Sequence, residues 1–548
     1  MRIFFAAIVI ITSLLSFEIA AVALYPQGQI HLQSQANHHE EAQLDKGVCP
    51  LALKIKAPND GLHPPLDFIT DDAVRALQVE RLSKAVRIPT VVTDDMNDPY
   101  DSRFDSFIQF HTLLRKLFPI SHSYAQLEHV NRLGLVYTFN GTSKTLKPIM
   151  LTAHQDVVPT DDPSDWTYPP FKGYFDGKWM WGRGAVDCKN NLIGLLSVME
   201  DLISQGWTPK RTVVLAFGYD EESGGLGAAS IAEFLEERYG HYGFELILDE
   251  GGMGLETIGD IVYALPGVGE KGAVDFHLAL SVKGGHSSVP PSHTGIGIIS
   301  EIIYELERQD LFFPRLGKEH PTRRTLECQT RYSPDFVEPW LASALASDDF
   351  TGVAEAIARS RGITDRFKFQ TSQAVDVIGG GVKVNALPEK IFTNVNYRVA
   401  LHETVGMLRD RAVKIISPIV AKYNLTFSAF EDGVSDEPVN HLAMSVLAHS
   451  LEVAPVSPTD VHNNHTWARF SGVARSVFES VPSLKGKTVV VSGDIMTGNT
   501  DTSRYWNLTQ NIYRWSPSRT GTRVNAHTVN ERLDMQTHVE VMMFYYGI

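Results

Sequence analysis

Between residues 148 and 250 the chain alternates two hydrophobic patterns. Short, largely apolar runs, Pro148–Ala153, Thr212–Phe217 and Phe244–Leu248, have the length and composition of strands buried on both faces. Helical periods lie between them. Asn191–Gln205 carries apolar residues at Leu192, Leu195, Leu196, Met199, Leu202 and Ile203, and Gly206 ends it. Leu226–Glu237 is a second helix. This alternation predicts an α/β domain over 71–270, a mostly parallel sheet covered by helices.

The pattern changes after Lys271. Ala273–Val282 alternates in part with period two, as a strand with one solvated face does. Thr294–Gln309 reads as an amphipathic helix, Lys390–Leu401 as a strand, Glu403–Tyr423 as a helix and Leu425–Phe430 as a last strand. The order fits the ferredoxin-like α+β pattern and assigns 271–430 to a second domain. The stretch 310–370 is an insertion, partly helical at Pro339–Ser347. From 431 to 548 the α/β texture returns, with Lys487–Ser492 as a buried strand. If His527 joins the chemistry of the first part, the second domain is inserted into the first.

The N-terminus stands apart. Met1-Arg2 precedes an apolar run from Ile3 to Leu24, and Ala21-Val22-Ala23 is a small-x-small cleavage pattern, so 1–24 is expected to be a signal peptide. An uncleaved membrane anchor is the alternative, which Glu18 within the run opposes. Residues 25–70 are a polar, Pro-containing extension whose His38-His39-Glu40-Glu41 reads as solvated. Four N-glycosylation acceptors agree with a secretory route: Asn140, Asn424, Asn464 and Asn507. Three cysteines exclude a thiolate metal site; Cys188 reads as a small buried residue, and Cys49 and Cys328 can pair only in an oxidising compartment. The 548 residues suggest two or three domains, and a net charge of −15 argues against nucleic acid as the main partner.

Five segments carry metal-ligand chemistry: His154-Gln155-Asp156, Asp187, Glu221-Glu222, Asp249-Glu250 and His527. Without thiolates, zinc takes imidazole nitrogen and carboxylate oxygen. A dinuclear hydrolytic site needs a bridging carboxylate, a histidine and a carboxylate on each ion, and a place for water. His154 with Asp249 would serve one ion, Glu222 with His527 the other, and Asp187 would bridge. Asp156 is placed to orient the His154 imidazole, and Glu221 to act as general base. His154, Glu221 and Asp249 each follow an apolar run, where α/β sheets collect their ligands. Taken singly, each piece has a bland explanation: a solvated acidic pair, turn chemistry, a satisfied polar residue. Their joint occurrence at strand ends does not.

The blocks Ala153–Pro159, Gly182–Asp187, Asp220–Gly225, Asp249–Gly252, Gly284–Pro290 and Asn525–His527 resemble the zinc exopeptidases related to carboxypeptidase S and aminoacylase. The Gln155 variant and Gly285-His286-Ser287-Ser288 bring the chain nearest the carboxypeptidase S branch, which includes fungal vacuolar enzymes. The resemblance implies two Zn2+ ions per subunit and an inserted lid domain that often mediates homodimers. It also implies a role for His286 in stabilising the oxyanion. Asn385, Arg398 and Gly498 fall in segments similar to the family's substrate-binding ones. The expected activity is carboxypeptidase action on small peptides with a free C-terminal carboxylate, by metal-activated water. An N-acyl amino acid hydrolase or synthase is the alternative, and a non-catalytic metal-binding relative the second. The vacuole lumen is the expected location, the cell exterior the alternative.

Overall fold

A computed structural model describes residues 48–431, 438–447 and 450–548. The expected signal segment and the His38–Glu41 cluster lie outside the described residues.

The main sheet has eight strands, in the order 126–130, 134–139, 213–218, 149–154, 246–249, 512–514, 267–270 and 494–496. Its centre is parallel: Ile149–His154 pairs with Val213–Gly218 on one side and with Leu246–Asp249 on the other. Ile512–Arg514 joins Leu246–Asp249, also in parallel. Every residue of Val213–Gly218 is buried, which is why it reads as a continuous apolar run rather than an alternating one. The helices Lys189–Ser204 and Met535–Gly547 are buried almost throughout and pack on each other. The helix expected over 191–205 runs from Lys189 to Ser204, a difference within the usual blur of helix ends.

The second sheet has five strands, in the order 372–380, 390–399, 272–281, 441–446 and 426–429. The helices Gly295–Arg308 and Val405–Lys422 supply apolar residues to its core. A strand beyond residue 430, His441–Val446, is wedged between Gly272–Ser281 and Thr426–Ala429. It interrupts a ferredoxin-like order, pairs in parallel with Thr426–Ala429, and carries the second sheet to residue 446.

The insertion is more helical than its sequence pattern suggests, with helices at Pro321–Tyr332, Leu341–Leu345, Phe350–Arg361 and Ile363–Phe369. Leu316, Leu326, Leu341, Ile357 and Phe369 give it a small core of its own. It is fastened to the main-sheet side of the molecule. Thr322 donates to Asp494, Thr325 Oγ1 lies 3.0 Å from Ser492 Oγ, and Cys328 is disulfide-bonded to Cys49. Cys188 is free and buried, as expected. The strand Thr488–Val491 is also found, but in a separate three-stranded sheet beside Ile261–Ala264.

Candidate metal centre

Three of the five candidate segments sit at the carboxyl ends of adjacent parallel strands. His154 is the last residue of one strand and Asp249 of another. Glu221 and Glu222 occupy the turn after Val213–Gly218. Asp187 comes just before the helix that starts at Lys189, and His527 is on the loop of a hairpin formed by Arg523–Val524 and Arg532–Asp534.

Asp187 joins the two halves of the group. Its Oδ1 lies 3.0 Å from His154 Nε2 and its Oδ2 lies 3.2 Å from His527 Nε2. His527 Nε2 is also 2.9 Å from Glu222 Oε1. On its other nitrogen, His154 hydrogen-bonds the Asp156 main-chain carbonyl at 3.0 Å and faces Asp156 Oδ1 at 3.3 Å. The Asp156 carboxylate accepts the backbone N–H groups of Glu221 at 3.2 Å and Glu222 at 3.0 Å. One buried carboxylate thus lies against both an imidazole and the turn bearing both glutamates.

Asp249 behaves differently from its neighbours. One oxygen accepts the Glu250 N–H at 2.8 Å. The other, Oδ2, is buried without a hydrogen-bond partner. Glu250, which the sequence reading left unassigned, places Oε1 3.2 Å from His154 Nε2. Ligand atoms of His154, Asp187, Cys188 and Glu250 gather within 4.8 Å of one another, as do those of Asp187, Glu222 and His527, and those of His154, Glu221 and Glu222. No group among the described residues includes Asp249, so geometry and sequence pattern name different acids at this strand end.

The electrostatics ask for positive charge. Burial pushes Glu221 well above the usual carboxylate range and Glu222 up to about 7, and raises Asp249 to about 7. Asp187 runs the other way: burial would raise it, but hydrogen bonds with His154 and His527 hold it below the ordinary range. Hydrogen bonds to Asp187 and Glu222 raise His527 to about 10. Crowded acids that keep protons on themselves and on histidines, together with the orphaned Asp249 oxygen, fit a divalent metal site of imidazole and carboxylate donors.

Asp501 is a further acid that sequence reasoning did not assign, although its turn, 497–501, was singled out for Gly498. It is buried with Oδ2 unpartnered, and occupies the space where a Cβ on Gly218 would stand, 2.4 Å away. A side chain at the last residue of Val213–Gly218 would therefore displace the Asp501 carboxylate.

The other candidates fall into two sets. Arg398, in the strand Lys390–Val399, donates to Asn499 Oδ1 at 2.8 Å, which brings it to the turn bearing exposed Gly498. His286 lies on a two-stranded ribbon, where Gly285–His286 pairs with Ala386–Leu387, and Asn385 flanks it, its carbonyl accepting the Ser287 N–H at 3.4 Å. His286 is exposed and bonds Ser288, with no hydrogen bond or ion pair to the metal-site residues among the described residues.

Residues 150–548 match the family model described as peptidase family M20/M25/M40. The chain belongs to the M20/M25/M40 peptidase family. It is 37% identical over 530 residues to carboxypeptidase S of Saccharomyces cerevisiae, covering 94% of this chain and 90% of that protein. It is 30% identical to an N-fatty-acyl-amino acid synthase/hydrolase of Danio rerio, covering 86% and 84%. Among solved structures, a dipeptidase of Saccharomyces cerevisiae aligns with a TM-score of 0.60 at 16% identity, covering 88% of this chain and 98% of that one. The M20 metallo-carboxypeptidase of Sulfolobus solfataricus aligns at 0.57 and 16%, covering 86% and 99%. The resemblance drawn from the sequence blocks is borne out, and so is the assignment as a metallo-exopeptidase.

Proposed function

We propose that this M20 peptidase is a zinc carboxypeptidase that removes the C-terminal residue of small peptides. The observation that carries the reading is the placement of Asp187 between two histidines from distant parts of the chain, one carboxylate oxygen toward each. Two Zn2+ ions per subunit would be held by His154 and Asp249 on one side, Glu222 and His527 on the other, with Asp187 shared. Such ions supply Lewis acidity and an activated water.

The protein's own groups divide the remaining work. Asp156 fixes the His154 ring and the 221–222 turn. Glu221 is half-buried, has no hydrogen-bonded side-chain partner among the described residues, and serves as the base that takes a proton and returns it to the departing amine. His286 stabilises the oxyanion, and Arg398, Asn385 and Gly498 receive the substrate carboxylate. Exposure of His286 fits a role completed across a homodimer through the second domain. Its neighbourhood supports this: Val289, Val377, Ile378, Val382 and Val384 are exposed apolar side chains on the ribbon, the edge strand Ser372–Gly380 and the loop that follows it.

A second reading, hydrolysis or synthesis of N-acyl amino acids, is favoured by the similarity to the Danio rerio protein. It keeps the same metal residues and changes only the acyl side. A panel of dipeptides against N-fatty-acyl amino acids on zinc-loaded protein separates the two. Faster turnover of the dipeptides is the expected result; turnover confined to the fatty-acyl compounds overturns it.

We assign the protein to the secretory pathway, with the vacuole lumen as destination and the exterior as alternative. The Cys49–Cys328 disulfide supports an oxidising compartment. No helix among the described residues is long and apolar enough to cross a membrane. N-terminal sequencing of the mature protein tests signal cleavage.

A further inference from the structure

His527 is half exposed and lies on a loop where Asn525, His527 and Asn530 all take left-handed backbone conformations. Little packing of its own fixes the ring, so its position depends on what anchors the loop. The anchor is Glu531, which is fully buried. Its Oε1 accepts the backbone N–H of Val186 at 2.7 Å and of Asp187 at 3.3 Å. Its Oε2 accepts Arg183 Nη1 at 2.6 Å, and its backbone carbonyl accepts the Gly182 N–H at 3.0 Å. Arg523, at the start of the same hairpin, donates to the Val186 carbonyl at 3.1 Å. Both polar groups of Val186 are therefore held by side chains of the hairpin that carries His527.

We propose that Glu531 is a positioning residue for the metal pair: from the His527 hairpin it fixes the Val186–Asp187 backbone, and with it the carboxylate that faces both histidines. The inference rests on the two-metal reading above. A buried carboxylate is costly unless paired, and Arg183 alone would pair this one. The remaining oxygen is spent on the turn that presents Asp187. Through it, the hairpin and the 182–187 turn move as one piece, and the spacing of Asp187 and His527 is set by a group that touches no metal. Partners of this kind typically change metal affinity by about 10–100-fold.

The test is zinc binding to the full chain by competition with a chromophoric chelator, together with the visible spectrum of the cobalt-substituted protein. Wild type is expected to take up two equivalents. Glu531→Gln is expected to bind one as wild type does and the other about 10–100-fold more weakly, with an altered cobalt spectrum. Arg523→Met removes a partly exposed side chain from the same peptide and carries the test if the buried variant does not fold. Wild-type affinity for both equivalents with an unchanged spectrum, in whichever of these variants folds, overturns the inference. Fewer than two equivalents in wild type overturns the two-metal reading, and the inference with it.

Discussion

The carboxylate of Asp156 accepts the backbone N–H of Glu221 at 3.2 Å, while the same carboxylate faces the His154 imidazole at 3.3 Å. The proposed ligand and the proposed base thus share one buried carboxylate. Asp156→Ala removes it from both, while the main-chain carbonyl of residue 156 keeps its 3.0 Å contact with His154 Nδ1. Turnover and affinity for the first zinc equivalent should fall together by about 10–100-fold, as measured by dipeptide hydrolysis and chelator competition. A loss of turnover with unchanged zinc affinity would remove Asp156 from its orienting role.

Glu221→Gln separates chemistry from metal holding. Zinc content should stay at the wild-type level while kcat falls by about 100-fold or more, the usual size of a general-base contribution. Retention of full activity rules out Glu221 as the base.

The strand end at 249–250 offers two acids, and two variants distinguish them. Asp249 has an orphaned buried oxygen, whereas Glu250 touches His154 and lies 4.0 Å from Arg523. With Asp249 as ligand, Asp249→Ala should lose one zinc equivalent and Glu250→Ala should keep both. The reverse outcome transfers the ligand role to Glu250.

The crowded acids and His527 should stabilise metal-free protein less as pH rises. Glu222 and Asp249 both reach about 7 in the fold, above their values in an unfolded chain, and His527 reaches about 10. Each raised value means that the folded state binds more protons there, so the contribution of these groups to stability falls with increasing pH. The carboxyl contribution is lost between about pH 4 and 7 and the histidine contribution between about pH 6.5 and 10. Metal replaces those protons, so stabilisation by zinc should grow across the same range. Thermal melts with and without chelator from pH 5 to 9 check this. A zinc-dependent rise in melting temperature that shrinks toward pH 9 contradicts it.

Much of this was legible in the sequence because parallel strands announce themselves. Residues 149–151, 213–217 and 246–248 are continuous apolar runs, and His154, Glu221 and Asp249 come within four residues of their ends. The strands Gln126–Val130 and Gly134–Phe139 were missed: the first is half-exposed and polar, without a clear period. The strand His441–Val446 escaped because its place is set by pairing with Gly272–Ser281, which lies far away in sequence. The Asp249–Glu250 ambiguity has the same root. Adjacent acids look alike in sequence, and only side-chain direction separates them. Glu531 bears no local signal at all, since its partners are backbone N–H groups of a distant turn.

The glycosylation acceptors are not equivalent either. Asn140, Asn424 and Asn507 are exposed. Asn464 caps the helix His465–Ser480, accepting the Trp467 N–H at 2.7 Å and donating to Asn511 at 2.9 Å. Removal of this cap costs about 1 kcal/mol, so Asn464→Gln should lower the melting temperature without changing glycan mass. A mass loss on that substitution contradicts the expected occupancy.

The most direct measurement is a crystal structure of the zinc-loaded protein with anomalous scattering at the zinc edge. Two peaks about 3.5–4 Å apart, one beside His154 and one beside His527, with an Asp187 oxygen on each, are the expected result. A single peak, or two peaks with Asp187 bound to only one, contradicts the shared-carboxylate centre on which the proposed activity rests.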